Sequence, residues 1–74
     1  MKSYTIKLSA VAEVQKFVSS ISRFDNDFDL IQGKYVVDAK SILGVFSLGL
    51  QNPLELQVYA PTEEVEQAIK PFIV

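Results

Sequence analysis

The hydrophobic period of this chain switches repeatedly along its length, and that switching restricts the fold more than any other feature. Residues 2–8, KSYTIKL, alternate: Tyr4, Ile6 and Leu8 fall on one side, and Ser3, Thr5 and Lys7 on the other. That is the period of a half-buried strand. From Ala10 the spacing becomes helical, with Val11, Val14, Val18 and Ile21 on one stripe and Phe17 beside them, and it holds to about Arg23. Ser9 is the expected N-cap, and Glu13 puts an acid near the helix start, where the helix dipole favours it. Asp25-Asn26-Asp27 breaks the pattern. Phe28 and Leu30 then share a strand face, Gly33-Lys34 supplies a turn, and Tyr35-Val36-Val37 favours a strand, so residues 27–38 read as a hairpin.

Ser41 is placed to cap a short helix running from Ile42 to about Leu48, with Gly49 as its stop. Gln51-Asn52-Pro53 is a loop. Leu54, Leu56 and Val58 alternate with Glu55, Gln57 and Tyr59 as a fourth strand, and Pro61-Thr62-Glu63-Glu64 opens a last helix. Val65, Ala68, Ile69 and Phe72 form its apolar face, and Pro71, which has no amide to donate, ends it. The order β-α-β-β-α-β-α predicts an α+β fold: a four-stranded antiparallel sheet covered on one face by helices. A length of 74 residues allows one domain, 1–74, near the lower limit for an unassisted core, and 49% hydrophobic residues suffice to build that core.

The residue types that are missing narrow the chemistry. The chain has no histidine and no cysteine. Disulfides are therefore excluded, as are most nucleophilic, acid–base and transition-metal sites. No cofactor is expected, and no catalytic residue. Freedom from cysteine and the lack of an apolar run after Met1-Lys2 give the cytosol as the expected location. No run approaches the roughly 20 apolar residues of a membrane span, so no membrane association is expected. Seven basic residues against nine acidic ones give net −2, and the basic ones are scattered, which argues against nucleic acid as a partner. Asp25-Asn26-Asp27-Phe28-Asp29 alternates like the first half of a calcium loop, but Leu30 stands at the sixth position and Val36 at the twelfth, so no metal site is expected. Tyr4, Tyr35 and Tyr59 read as sheet residues. Glu63, Glu64 and Glu66 read as a polar helix face, and Lys7 and Lys16 have no catalytic pattern around them.

One stretch is specific. Lys40-Ser41-Ile42-Leu43-Gly44-Val45-Phe46-Ser47-Leu48-Gly49 resembles, position by position, the serine-site helix of HPr, the histidine-containing phosphocarrier of the bacterial sugar phosphotransferase system. Gly33-Lys34 and Val36-Val37-Asp38-Ala39 resemble the strand leading to it, and the pairs Phe17-Val18 and Arg23-Phe24 sit at family-like distances. The resemblance covers the whole chain, with a shorter turn before the last helix. It implies an open-faced HPr-like sandwich.

The family's active motif, Gly-Leu-His-Ala-Arg-Pro-Ala, aligns with Leu8-Ser9-Ala10-Val11-Ala12-Glu13-Val14. Ala10 thus stands where the phosphohistidine would be, Ala12 where the arginine would be and Glu13 where the proline would be. All three changes oppose an anion site. Ser9 is the nearest hydroxyl, but a serine ester is too stable for reversible transfer.

The resemblance implies a non-catalytic regulatory module that docks a protein through Ile42, Leu43 and Phe46 as an exposed patch, with Val45 and Leu48 packed on the sheet. Helical spacing by itself allows two apolar faces, one through residues 42, 45 and 48–49 and the other through 43, 46 and 50. One must be core, and the other is free for contact. The partner implied is a phosphotransferase-system component, a serine kinase or a transcription regulator. Ser41 matches the serine that is phosphorylated in Gram-positive relatives, with Lys40 adjacent; the competing role for Ser41 is a helix cap alone, worth about 1 kcal/mol. Ser47 is not expected to be a second site. The rival to docking is a structural role in which the same apolar patch closes a homodimer.

Overall fold

The computed structural model describes residues 1–74. Its elements run β1 (Lys2–Ile6), α1 (Val11–Ser22), β2 (Phe28–Gln32), β3 (Tyr35–Asp38), α2 (Ile42–Phe46), β4 (Leu54–Val58) and α3 (Glu63–Ile69), followed by a 3-10 turn, Lys70–Phe72. The four strands form one antiparallel sheet in the order β1-β4-β2-β3. The α+β sandwich with all helices on one face is therefore the fold that the alternating periods predict.

Strand parity explains which face is covered. Ile6, Phe28, Leu30, Leu54, Leu56 and Val58 point inward and are buried. α1 meets them with Val14, Phe17 and Ile21, and α3 with Val65 and Ile69. All 16 buried residues are apolar, so the interior holds no charged or hydroxyl side chain that chemistry could use. The Phe17 and Phe72 rings meet edge to face, 5.3 Å between centroids, which fastens α1 to the turn after α3. Beyond that turn the chain joins the sheet. The Lys7 amide donates to the Phe72 carbonyl at 2.9 Å, and the Val74 amide donates to the Thr5 carbonyl at 3.0 Å. Pro71 fits the start of this 3-10 turn, where no amide is required.

Local details depart from the sequence expectation. α1 is capped by Ala10 and not by Ser9: Ala10 is extended (φ −147°, ψ 161°) and no side chain accepts from the first amides. β1 stops at Ile6, and Leu8 is buried in the connection, which moves the helix start one residue along. Val11 consequently projects into solvent at 60% exposure, while Val18 lies at the core's margin. α2 ends at Phe46, short of Leu48. Ser47 amide bonds to the Leu43 and Gly44 carbonyls tighten its last turn before Gly49 is reached.

Two tertiary ties bear on stability. Ala60, between β4 and α3, has φ 51°, a left-handed conformation that suits glycine. The Asn26 side-chain amide holds it there by donating to the Tyr59 carbonyl at 3.0 Å and the Ala60 carbonyl at 2.8 Å. At the other tie, Glu66 of α3 accepts from the Lys2 ammonium at 2.8 Å and the Tyr4 hydroxyl at 2.6 Å. The Lys2 bond first, then the Tyr4 bond, hold the Glu66 carboxyl below its ordinary range. Burial first, then the bond to Glu66 and its charge, push the Tyr4 phenol up to about 12.

Two outcomes are expected. Ala60→Gly should raise stability to urea unfolding by a few tenths to about 1 kcal/mol, the relieved left-handed cost less the added freedom of the unfolded chain; a loss of stability would show that Ala60 is not strained. For the second tie, the lowered Glu66 pKa makes its contribution present above the unfolded carboxylate value of roughly pH 4.3 and lost as pH falls through the lower folded value. The raised Tyr4 pKa makes its contribution present below roughly pH 10 and lost as pH rises through the folded value. Denaturation midpoints of wild type and Glu66→Gln should therefore differ at neutral pH and converge in acid.

Candidate functional site

Two segments carry the residues singled out in the sequence, and the sheet places them. Ala10 stands exposed at the mouth of α1. Its carbonyl accepts from the amides of Glu13 at 3.0 Å and Val14 at 3.1 Å, which starts the helix. The amides of Val11 and Ala12 have no intrahelical acceptor by the rule for first-turn residues. The side chains around that opening are the methyls of Ala10 and Ala12 and the isopropyl of Val11, with the Glu13 carboxylate in the first turn. No imidazole, thiol or cation stands among them. The one charge present repels anions.

α2 is built by a different logic. Asp38 organises its approach: its carboxylate accepts from the Lys40 amide at 2.9 Å and its carbonyl from the Ser41 amide at 3.0 Å. Ser41 is extended and caps α2, its hydroxyl accepting from the Gly44 amide at 3.2 Å, while its carbonyl accepts from Val45 at 2.9 Å. Gly44 is needed for closeness. A Cβ there would stand 3.3 Å from Ser41 Oγ, a tight approach to the capping hydroxyl, and 3.5 Å from Val37 Cβ, an ordinary contact with β3. The far end of α2 is clasped by Gln32, whose side chain accepts from the Gly49 amide at 3.0 Å and donates to the Gly49 carbonyl. This pair lies 17 residues apart, and no local pattern in the sequence announces it.

The apolar residues of α2 divide between core and solvent. Val45 is fully buried and Leu48 nearly so. Leu43 is 80% exposed, and Phe46 is also exposed. Ile42 corrects the expectation of an exposed patch through residues 42, 43 and 46: it is half-buried and packs on the core. Residues three apart share a helix face, so Ile42 must follow Val45 inward. Leu50 likewise packs against the core margin. Lys40, adjacent to Ser41 in the chain, is directed elsewhere. Its ammonium donates to the Phe24 carbonyl and lies 5.5 Å from the centre of the Phe28 ring, so it is committed away from Ser41. The two segments are linked through the Lys7 ammonium, which donates to the Gln51 carbonyl at 3.1 Å and ties the approach to α1 to the loop after α2.

Comparison with known proteins agrees with this geometry. The family model for the PTS HPr component phosphorylation site matches residues 11–73. Among solved structures, HPr-C-His from Thermoanaerobacter tengcongensis is similar with a TM-score of 0.81 and 30% identity, the match covering 99% of this chain and 91% of that one.

Replacing Ser41 by Ala should cost about 1 kcal/mol in denaturant unfolding, the ordinary value of a lost N-cap. Leu43→Ala should cost little, because Leu43 faces water, whereas Val45→Ala should cost about 2 kcal/mol or more from the cavity it leaves. Equal losses at positions 43 and 45 would contradict the division of α2 into two faces.

Proposed function

This chain belongs to the HPr family, and we propose that it serves there as a non-catalytic interaction module: it docks a protein of the phosphotransferase system without carrying phosphate on histidine. The observation that supports this reading is the contrast between its two segments. At α1, every feature that would hold a phosphoryl group is replaced: Ala10 in the histidine position, Ala12 in the arginine position and Glu13 in the proline position. At α2, the serine, the glycine over β3 and the outward apolar residues are kept, with Leu43 80% exposed.

In this reading Leu43 and Phe46 supply the contact, and Ile42 supports them from below. An exposed apolar pair on one short helix suits recognition by a protein. Ser41 is the regulatory position. Its hydroxyl is exposed at the start of α2, so a kinase has access. A phosphate there would sit by the first amides of α2 and add close to two negative charges beside Leu43. Modification would thus change the contact surface directly, with no movement of the sheet. Lys40 takes no part, because its ammonium is held by the Phe24 carbonyl. The partner is a component of the phosphotransferase system, an HPr-directed serine kinase or a regulator that reads the phosphorylated serine. The location that fits these partners is the cytoplasm of a bacterium.

The test is intact-mass spectrometry after incubation with an HPr-directed serine kinase and ATP. The wild-type chain is expected to gain one phosphate and Ser41→Ala none. An unmodified wild type would reduce Ser41 to a cap, and the same gain in Ser41→Ala would move the site elsewhere.

A further inference from the structure

The two edges of the sheet are unequal. Along the outer edge of β1 the chain's own end is laid down: Ile73 pairs with Ile6, with backbone bonds between Lys7 and Phe72 and between Val74 and Thr5. That edge is covered at its Thr5–Lys7 end. The other edge is β3, and nothing covers it. Its residues Tyr35 and Val36 are 63% and 61% exposed. Unprotected edges are usually blunted by a central charge, a proline or a bulge. β3 reads Tyr35-Val36-Val37-Asp38 and has none of these in its middle.

The backbone groups on that edge can be assigned. The Ala39 amide donates to the Phe28 carbonyl at 2.9 Å, so residue 39 faces β2. Antiparallel ladders alternate, so Val37 and Tyr35 also face β2, and the amide and carbonyl of Val36 face the open side. Side chains alternate as well. Val36 is paired with Ile31 on the sheet face away from the helices, Asp38 falls at the same parity at the end of β3, and Lys34 stands in the turn just before Tyr35.

We propose that β3 pairs antiparallel with β3 of a second copy of this chain, about a two-fold axis at Val36. This register is the one that uses the outward backbone groups, Val36 bonding Val36 of the partner subunit across the axis. It brings Lys34 of one copy opposite Asp38 of the other, twice by symmetry. Tyr35 then lies opposite Val37 across the joint. A strand with a lysine in the turn just before it and an aspartate at its far end is complementary to itself in the antiparallel sense, and a pairing one residue out of step loses both ion pairs. The result is a continuous eight-stranded sheet. A four-residue edge gives a small interface, so the dimer is in concentration-dependent exchange with monomer. This surface is separate from Leu43 and Phe46, and it stands whether or not the chain docks a phosphotransferase-system protein.

Sedimentation velocity on the full chain, from about 10 μM to about 1 mM, provides the test. Wild type should shift from monomer towards dimer over that range. Val36→Lys sets two like charges on the axis and should leave monomer throughout, as should Lys34→Glu and Asp38→Lys separately, each weakening association on the order of tenfold. A 1:1 mixture of Lys34→Glu with Asp38→Lys restores opposite charges at both ends, and its dimer should return. Circular dichroism should show each variant folded; because Asp38 also holds the Lys40 amide, Val36→Lys decides the matter if Asp38→Lys unfolds. A wild type that stays monomeric at the highest concentration would overturn the proposal and leave the edge to a strand from another protein. A dimer that survives Val36→Lys but is lost in Leu43→Asp would overturn it in favour of the α2 surface.

Discussion

Phe17 against Phe72 is the contact on which the rest of the molecule depends. It joins the middle of the first helix to the turn after the last, and through that turn it brings Ile73 and Val74 onto the edge of β1. A sheet of this size buries only one face, so its helices must be held to it from both ends of the chain. β4 and β2 occupy the centre and supply most of the buried strand side chains, while α1 and α3 close over them. With every buried residue apolar, stability is separated from function. The outward ends of α1 and α2 can change without disturbing what holds the fold.

In the proposed reading, that separation lets an HPr-family scaffold persist without phosphohistidine chemistry. Histidine phosphorylation needs a nucleophilic ring, amides free to receive the anion and a positive group beside it. The opening of α1 still presents first-turn amides, but they face methyl groups and the Glu13 carboxylate. The substitutions cost the fold nothing visible: Ala10 and Ala12 are exposed, and helix α1 starts from backbone bonds alone. α2 is under tighter control. Asp38, Ser41, Gly44 and Gln32 each hold a specific backbone group or a close approach in and around a helix of five residues. A helix so short is not stable by propensity, and these ties are what fix Leu43 and Phe46 in an outward position.

Much of this is written plainly in the sequence. Alternation gave the strands their faces because one side of the sheet is buried and the other wet. Ser41 and Thr62 could be recognised as caps because their hydroxyls reach an amide three residues on, as the Gly44 and Val65 bonds show. Ser9 misled because capping requires an extended backbone at the right residue, and the burial of Leu8 shifts that residue to Ala10. Ile42 follows helical spacing, which groups it with Val45, and not the family analogy, which places it outside. The left-handed Ala60, the Gln32 clasp on Gly49 and the bridge from the chain's last residues to β1 have no local signal. They depend on neighbours 17 to 69 residues distant, brought there by the sheet.

The central claim is that α2 remains a protein-docking surface after the phosphate site has gone. The most direct measurement is an NMR titration of the ¹⁵N-labelled chain with the phosphotransferase-system protein that phosphorylates HPr histidines. Perturbed amides are expected at Leu43, Phe46 and the opening of α1, with the chain's mass unchanged when phosphoenolpyruvate is added. Unperturbed spectra with the partner in excess, or shifts confined to the sheet's open face, would contradict it.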